Sequence, residues 1–119
     1  MPSPAGDLLG ELAASQRLEQ RPWGSMLWLD APGHDVTVKH LRVAAGERTS
    51  RQRHVYKDEL LVIIGGGGFV EAGAETFRAG AVRIWPGTVH RVTGPLEYLE
   101  VSTYDDGADT VRLEDDYDR

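Results

Sequence analysis

Hydrophobic and polar positions change rhythm once along this chain. Over residues 7–19 the apolar residues Leu8, Leu9, Leu12, Ala13 and Leu18 recur at helical spacing. This predicts a short N-terminal helix capped by Asp7 and closed off before Pro22. After Gly24 the apolar residues come in short runs bounded by turn signals, as at 26–29, 36–43 and 60–64. Ala31-Pro32-Gly33-His34, Gly46, Gly73, Gly80, Pro86-Gly87 and Gly94-Pro95 separate those runs. The run at 60–64 is continuously apolar, which predicts a strand buried on both faces. Frequent short strands with regular turns predict an all-β sandwich or barrel rather than alternating βαβ units. No repeat and no linker divides the chain. The organisation expected is a helical extension over residues 1–20 followed by one β domain over 21–119.

Gly65 to Gly68 follow a predicted strand but lead into Phe69-Val70-Glu71, another strand, with no Gly-Lys-Ser/Thr and no helix to hold a phosphate. A hairpin turn that needs positive φ is the expected role of these glycines.

At 119 residues the chain has room for one core. The absence of cysteine excludes disulfides and thiolate metal sites. A formal charge of −6 argues against nucleic acid or an anionic membrane as partner. No stretch approaches the roughly 20 apolar residues of a membrane span, and Met1 to Gly6 carry no basic-then-apolar leader. A cytoplasmic protein is expected. Much of the negative charge lies in Asp105, Asp106, Asp109, Glu114, Asp115, Asp116 and Asp118, which by themselves read as a solvated tail.

Four residues stand out chemically. Gln52, His54 and Glu59 form Q-x-H-x4-E, and His90 follows in P-G-T-V-H. On a strand, residues i and i+2 share a face, so Gln52 and His54 project together. Glu59 across a short turn and His90 from another strand complete a compact N/O donor set. Such a set suits Zn²⁺ first, with Fe²⁺, Mn²⁺ and Ni²⁺ as alternatives, and suits Ca²⁺ poorly. His34 lies in a turn and reads as a surface residue. Lys39 and His40 are neighbours on one strand, so only one of them faces inward.

The spacing around these residues resembles that of the cupins. Gly46, Gln52, His54, Glu59 and Gly66 are similar to the motif G-x5-H-x-H-x3-4-E-x6-G, with Gln in place of the first His. Gly80, Gly87 and His90 resemble the second motif, where Gly94 stands in the place of Asn. A narrower resemblance runs from Arg21 to Arg119. Arg21-Pro22-Trp23-Gly24, Val38-Lys39-His40-Leu41, Gln52-Arg53-His54 and Val111-Arg112-Leu113-Glu114-Asp115-Asp116-Tyr117 are similar to the cupin domain of type II mannose-6-phosphate isomerases. The resemblance implies a double-stranded β-helix, a jelly-roll-like barrel, holding one divalent metal on Gln52, His54, Glu59 and His90. It also implies that part of the acidic tail is a structured closing segment.

The function so implied is aldose–ketose isomerisation of a sugar phosphate. It calls for a base near C1 and C2, for which Lys39, His40 and Glu97 are candidates. It also calls for cations around the phosphate, for which Arg21, Lys39, Arg83 and Arg91 are candidates. The alternatives are a metal-dependent cupin of another class, such as an oxygenase or tailoring enzyme, and a non-catalytic small-molecule binding module. Open sheet edges lead us to expect a homodimer.

Overall fold

A computed structural model describes residues 18–29, 36–103 and 108–117. These form eleven strands: β1 (Leu18–Arg21), β2 (Gly24–Trp28), β3 (Val36–Val43), β4 (Arg51–His54), β5 (Glu59–Gly65), β6 (Phe69–Ala72), β7 (Glu75–Phe77), β8 (Gly80–Ile84), β9 (His90–Thr93), β10 (Leu96–Thr103) and β11 (Thr110–Glu114). Two antiparallel sheets result, ordered β1-β2-β3-β10-β5-β8 and β11-β4-β9-β6-β7. The all-β, jelly-roll-like expectation is met. Most of the predicted N-terminal helix, residues 7–17, lies outside the described residues, as does the turn at 31–34. Leu18 and Glu19, which the helical pattern included, are strand residues of β1 paired with Leu27 and Met26. Cross-strand pairing has overridden the local spacing there.

Alternation along the two long strands divides inside from outside. Thr37, Lys39, Leu41 and Val43 on β3 are buried, as are Leu96, Tyr98, Glu100 and Ser102 on β10. Val43, Val70, Val82, Ile84 and Leu96 are among the core residues packed between the sheets. Trp23, Met26, Leu41, Leu61, Val92 and Tyr98 extend this core to the wall of a cavity.

Two expectations need correction. The apolar run of β5 is not buried on both faces: Leu61 is 2% exposed, whereas Leu60 and Ile64 are 37% and 53% exposed. Its inward parity serves the core and its outward parity forms part of an apolar outer surface. The four glycines do not close a hairpin either. β5 and β6 lie in different sheets, so the run carries the chain across the sandwich. Gly66 and Gly67 do adopt positive φ, 122° and 90°. A Cβ on Gly68 would sit 2.1 Å from the Thr93 carbonyl oxygen.

Gly94 is required for a similar reason. A Cβ there would lie 2.0 Å from the Ala44 oxygen, while its own N–H donates to the Glu47 carbonyl at 2.9 Å. The residue standing where the cupin motif has Asn is therefore locked to glycine by the neighbouring 43–47 backbone. Gly94→Ala is expected to destabilise the fold by about 2–3 kcal/mol through overpacking against backbone that cannot retreat. Urea unfolding of the variant checks this.

The acidic tail is ordered over residues 110–117. β11 pairs with β4, Arg48 forms two bonds to Asp116 at 2.6 and 2.8 Å, and the Tyr117 hydroxyl donates to Glu47. This agrees with the closing segment that the resemblance implies.

Candidate metal centre

The cavity between the sheets measures about 330 Å³ and is lined by inward-parity residues of both. β4 contributes Gln52 and His54, β5 Glu59 and Leu61, and β9 His90 and Val92. Gln52 and His90 are register partners, which brings the two sequence clusters side by side. His54, Glu59 and His90 are 3%, 2% and 5% exposed, and their potential ligand atoms all lie within 4.8 Å of one another. His54 Nε2 is 3.3 Å from Glu59 Oε1, and His90 Nε2 is 3.3 Å from Glu59 Oε2.

These separations fit an ion. Donors about 2.0–2.2 Å from a common centre, at tetrahedral or octahedral angles, stand about 2.8–3.6 Å apart. Both Glu59 oxygens are buried; Lys57 Nζ stands 2.8 Å from Oε1, while Oε2 has no well-aligned hydrogen bond and keeps lone pairs for a cation. Each histidine is oriented from behind. His90 Nδ1 donates to the Thr88 carbonyl at 2.9 Å, so its Nε2 presents a lone pair to the centre. His54 Nδ1 lies 3.1 Å from the Thr110 hydroxyl on β11. Gln52 is placed differently. Its Oε1 accepts from Ser50 Oγ at 2.6 Å and its Nε2 faces His54 Nε2 at 3.3 Å. Turning the amide over would send its oxygen to the centre and keep a bond to Ser50, because a hydroxyl both donates and accepts.

Electrostatics favour the ligand forms. Burial pushes His90 below its ordinary pKa against the pull of Glu59, so the imidazole is neutral. Burial alone would raise the Glu59 carboxyl. The contact with His54 and the charge of Lys57 outweigh that and hold it well below the usual carboxylate range. Burial and the neighbouring Glu100 and Glu59 push the Tyr98 phenol well up, which keeps it a proton donor.

The other sequence candidates separate by parity. Lys39 and Arg21 line the cavity, and Lys39 Nζ lies 4.3 Å from the Trp28 ring centroid and 3.4 Å from Glu100 Oε2. His40 and Glu97 are on the outer face, where they pair at 3.2 Å beside Arg42. Arg83 also points outward, bonded to Asp58 and stacked 3.6 Å over Trp85. Arg91 is buried but on the far side of β9, where it ties Thr49 to the C-terminal segment through Glu114. The structure thus brings four proposed ligands, Lys39 and Arg21 to one space and leaves His40, Glu97, Arg83 and Arg91 outside it.

Sequence reading missed several residues of this space. Lys57 Nζ is 2.8 Å from Glu59 Oε1 and 3.5 Å from Glu100 Oε2. Tyr98, Thr110, Arg112 and Trp28 also line the wall. Strand parity was the available signal for Glu100, which shares a face with Leu96 and Tyr98 where Glu97 does not.

Known proteins place this geometry. The chain matches the family described as mannose-6-phosphate isomerase C-terminal over residues 11–115. The chain belongs to this family. It is 35% identical over 108 residues to the alginate biosynthesis protein AlgA of Pseudomonas aeruginosa, a match covering 83% of this chain. The match spans only 22% of that relative's length. Among solved structures, a Streptomyces PAC13 variant with uridine superposes with a TM-score of 0.69 at 14% identity, covering 82% of this chain and 84% of that one. A cupin-2 domain from Rhodospirillum rubrum gives 0.63 at 17% identity, covering 76% and 64%. KdgF from a Halomonas species gives 0.65 at 14% identity, covering 78% and 91%. The fold is that of the cupins.

The loop from β4 to β5, which sets the spacing of His54 and Glu59, hangs on one side chain. The Asp109 carboxylate accepts from the backbone N–H groups of Val55 at 2.9 Å and Lys57 at 2.8 Å, with Tyr56 at 3.2 Å. Burial opposes its ionisation, and these N–H donors together overcome that and hold its pKa below the ordinary value. A depressed folded-state pKa contributes stability that is fully present above about pH 4 and lost as the pH falls further. Asp109→Ala is expected to cost about 1–2 kcal/mol near neutral pH. The gap from wild type should shrink on acidification in urea titrations at several pH values; a gap that widens in acid would contradict this role.

Proposed function

We propose that this chain is a metal-dependent cupin enzyme that interconverts the aldose and ketose forms of a sugar phosphate, in the manner of mannose-6-phosphate isomerisation. The observation that carries this reading is the grouping of His54, Glu59 and His90 in one cavity with Lys39, Glu100, Arg21 and Arg112, in a chain of this family. A divalent ion, zinc first and iron, manganese or nickel as alternatives for the same donors, supplies polarisation of a substrate oxygen.

The chain's own residues would do the rest. Moving a proton between C1 and C2 needs a base held over both carbons and a donor for the oxygen that gains a proton. Glu100 on the cavity wall, 3.4 Å from Lys39 Nζ, fits the first task, and the Tyr98 phenol fits the second. Arg21 and Arg112 with Lys39 would meet the phosphate dianion. The Trp28 face beside Lys39 offers an apolar wall for a sugar ring. The His40–Glu97 pair, Arg83 and Arg91 take no direct part in this scheme.

A second reading rests on Gly94, which stands where the cupin motif has Asn, and on the likeness in fold to other cupins. One of these is described as Pac13, a unique nucleoside dehydratase, with a TM-score of 0.66 at 16% identity over 84% of this chain. On that reading the same cavity serves a tailoring reaction on another polar ring compound. A sugar phosphate does not cross membranes unaided, so the isomerase reading also places the protein in the cytoplasm. Self-association is part of the proposal. Leu18, Val36, Leu60, Ile64 and Trp85, each 37% exposed or more, belong to the outer side of the six-stranded sheet or its margin, and a second copy would cover them.

Purified protein should contain about one divalent ion per chain and interconvert mannose 6-phosphate and fructose 6-phosphate. His90→Ala or Glu59→Gln should lower metal content to about a tenth or less; unchanged content in folded variants would remove the site. Metal without isomerase turnover would favour the tailoring reading, and neither metal nor turnover a binding module. Light scattering should give the mass of a dimer, and Leu60→Glu with Ile64→Glu should give a monomer; a monomeric wild type would end the dimer reading.

A further inference from the structure

Lys57 stands where a metal ion would have to compete with it. Its ammonium is 2.8 Å from Glu59 Oε1, the oxygen that also lies 3.3 Å from His54 Nε2. The side chain is 5% exposed, so no water shell shields that charge. Its backbone is fixed as well, because the Lys57 N–H donates to Asp109 at 2.8 Å. A cation arriving at His54, Glu59 and His90 must take the Glu59 lone pair that Lys57 now holds. It also brings two positive charges next to a third. Among the described residues Glu100 Oε2 lies within reach of the displaced ammonium, 3.5 Å away, with Lys39 Nζ 3.4 Å from the same oxygen.

From this geometry we infer that Lys57 is a built-in competitor for the metal centre. It neutralises Glu59 when no ion is bound and passes to Glu100 when one binds, and the exchange sets how tightly the ion is held. The inference rests on the metal reading above, because it concerns an ion at the same three ligands. No change of protonation is involved; the ammonium moves between two carboxylates. The arrangement gives two effects of opposite sign. Removing the ammonium lowers the stability of the metal-free protein, because Glu59 is left buried and uncompensated. The same change strengthens metal binding, because the competitor and its repulsion are gone. A residue that only packed the cavity wall would weaken both when replaced.

The test is Zn²⁺ affinity, measured by competition with a chromogenic chelator on the full chain, with thermal unfolding of the metal-free form alongside. Lys57→Met keeps the length of the side chain and should tighten Zn²⁺ binding by roughly ten-fold or more while lowering the unfolding temperature of the metal-free protein. Lys57→Arg should stay close to wild type. Glu100→Gln removes the alternative partner, holds Lys57 on Glu59, and should weaken Zn²⁺ binding by a comparable factor. An unchanged or weaker affinity in folded Lys57→Met overturns the inference. If that variant fails to fold, Glu100→Gln decides: equal or tighter binding overturns the inference as well. Should neither wild type nor the variants bind Zn²⁺, Fe²⁺, Mn²⁺ or Ni²⁺, the metal reading itself falls. A wild type that binds, with no tightening in Lys57→Met, removes only the role of Lys57.

Discussion

A carboxylate taken out of water has to be met by positive charge, and in this molecule that carboxylate is Glu59. It opens β5, 2% exposed, with strands paired on both sides of β5 in the six-stranded sheet. An isolated buried charge of this kind would be intolerable for a small domain. The ammonium of Lys57 meets it, and beyond that Glu100 and Lys39 continue a chain of alternating sign, while the imidazoles of His54 and His90 stand against its other side. The apolar core and the strand register hold that chain in place, and its chemistry depends on it. Removing Lys57 takes the nearest buried counter-charge from Glu59, which ties the cavity's composition to the stability of the fold.

Much of this was legible in the sequence. Gln52 and His54 share a strand face because they are two residues apart, and His90 follows a Pro-Gly turn that starts a strand. Parity could also have separated Lys39 from His40 and Glu100 from Glu97. Each pair sits on one strand among apolar residues of known direction, Leu41 and Val43 or Leu96 and Tyr98. Arg91 shows where parity stops. Burial places it inside the molecule, yet it faces away from the cavity, because the segment from Glu114 to Asp116 covers the outer side of β9. Nothing local in the sequence announces that a second layer lies there.

Other features were illegible for reasons of topology. The glycine run looks the same whether it closes a hairpin or crosses between sheets, because positive φ serves both. The partner strands decide, and those are long-range. Lys57 was passed over because it lies in a loop, where side-chain direction follows no period. Its position comes from Asp109, some fifty residues further on, gathering three consecutive backbone N–H groups. The apolar outer side of β5 likewise reads as core until the sheet order shows that no described strand packs over it.

One feature of the strand ladder bears on how the cavity opens. β4 carries Gln52 and His54 and is paired along its length with β11, but it meets β9 through one register pair, Gln52 with His90. Bonds outside that register continue the seam, from the Thr49 N–H to the Val92 carbonyl, from the Gly87 N–H to the His54 carbonyl and from Arg91 to Glu114, and the candidate ligands lie on both sides of it. Parting that seam would separate His54 from His90 and admit solvent to Glu59. Assembling the ligands and shutting the barrel are then one event, and the exchange of backbone amides across this seam reports how often the centre comes apart.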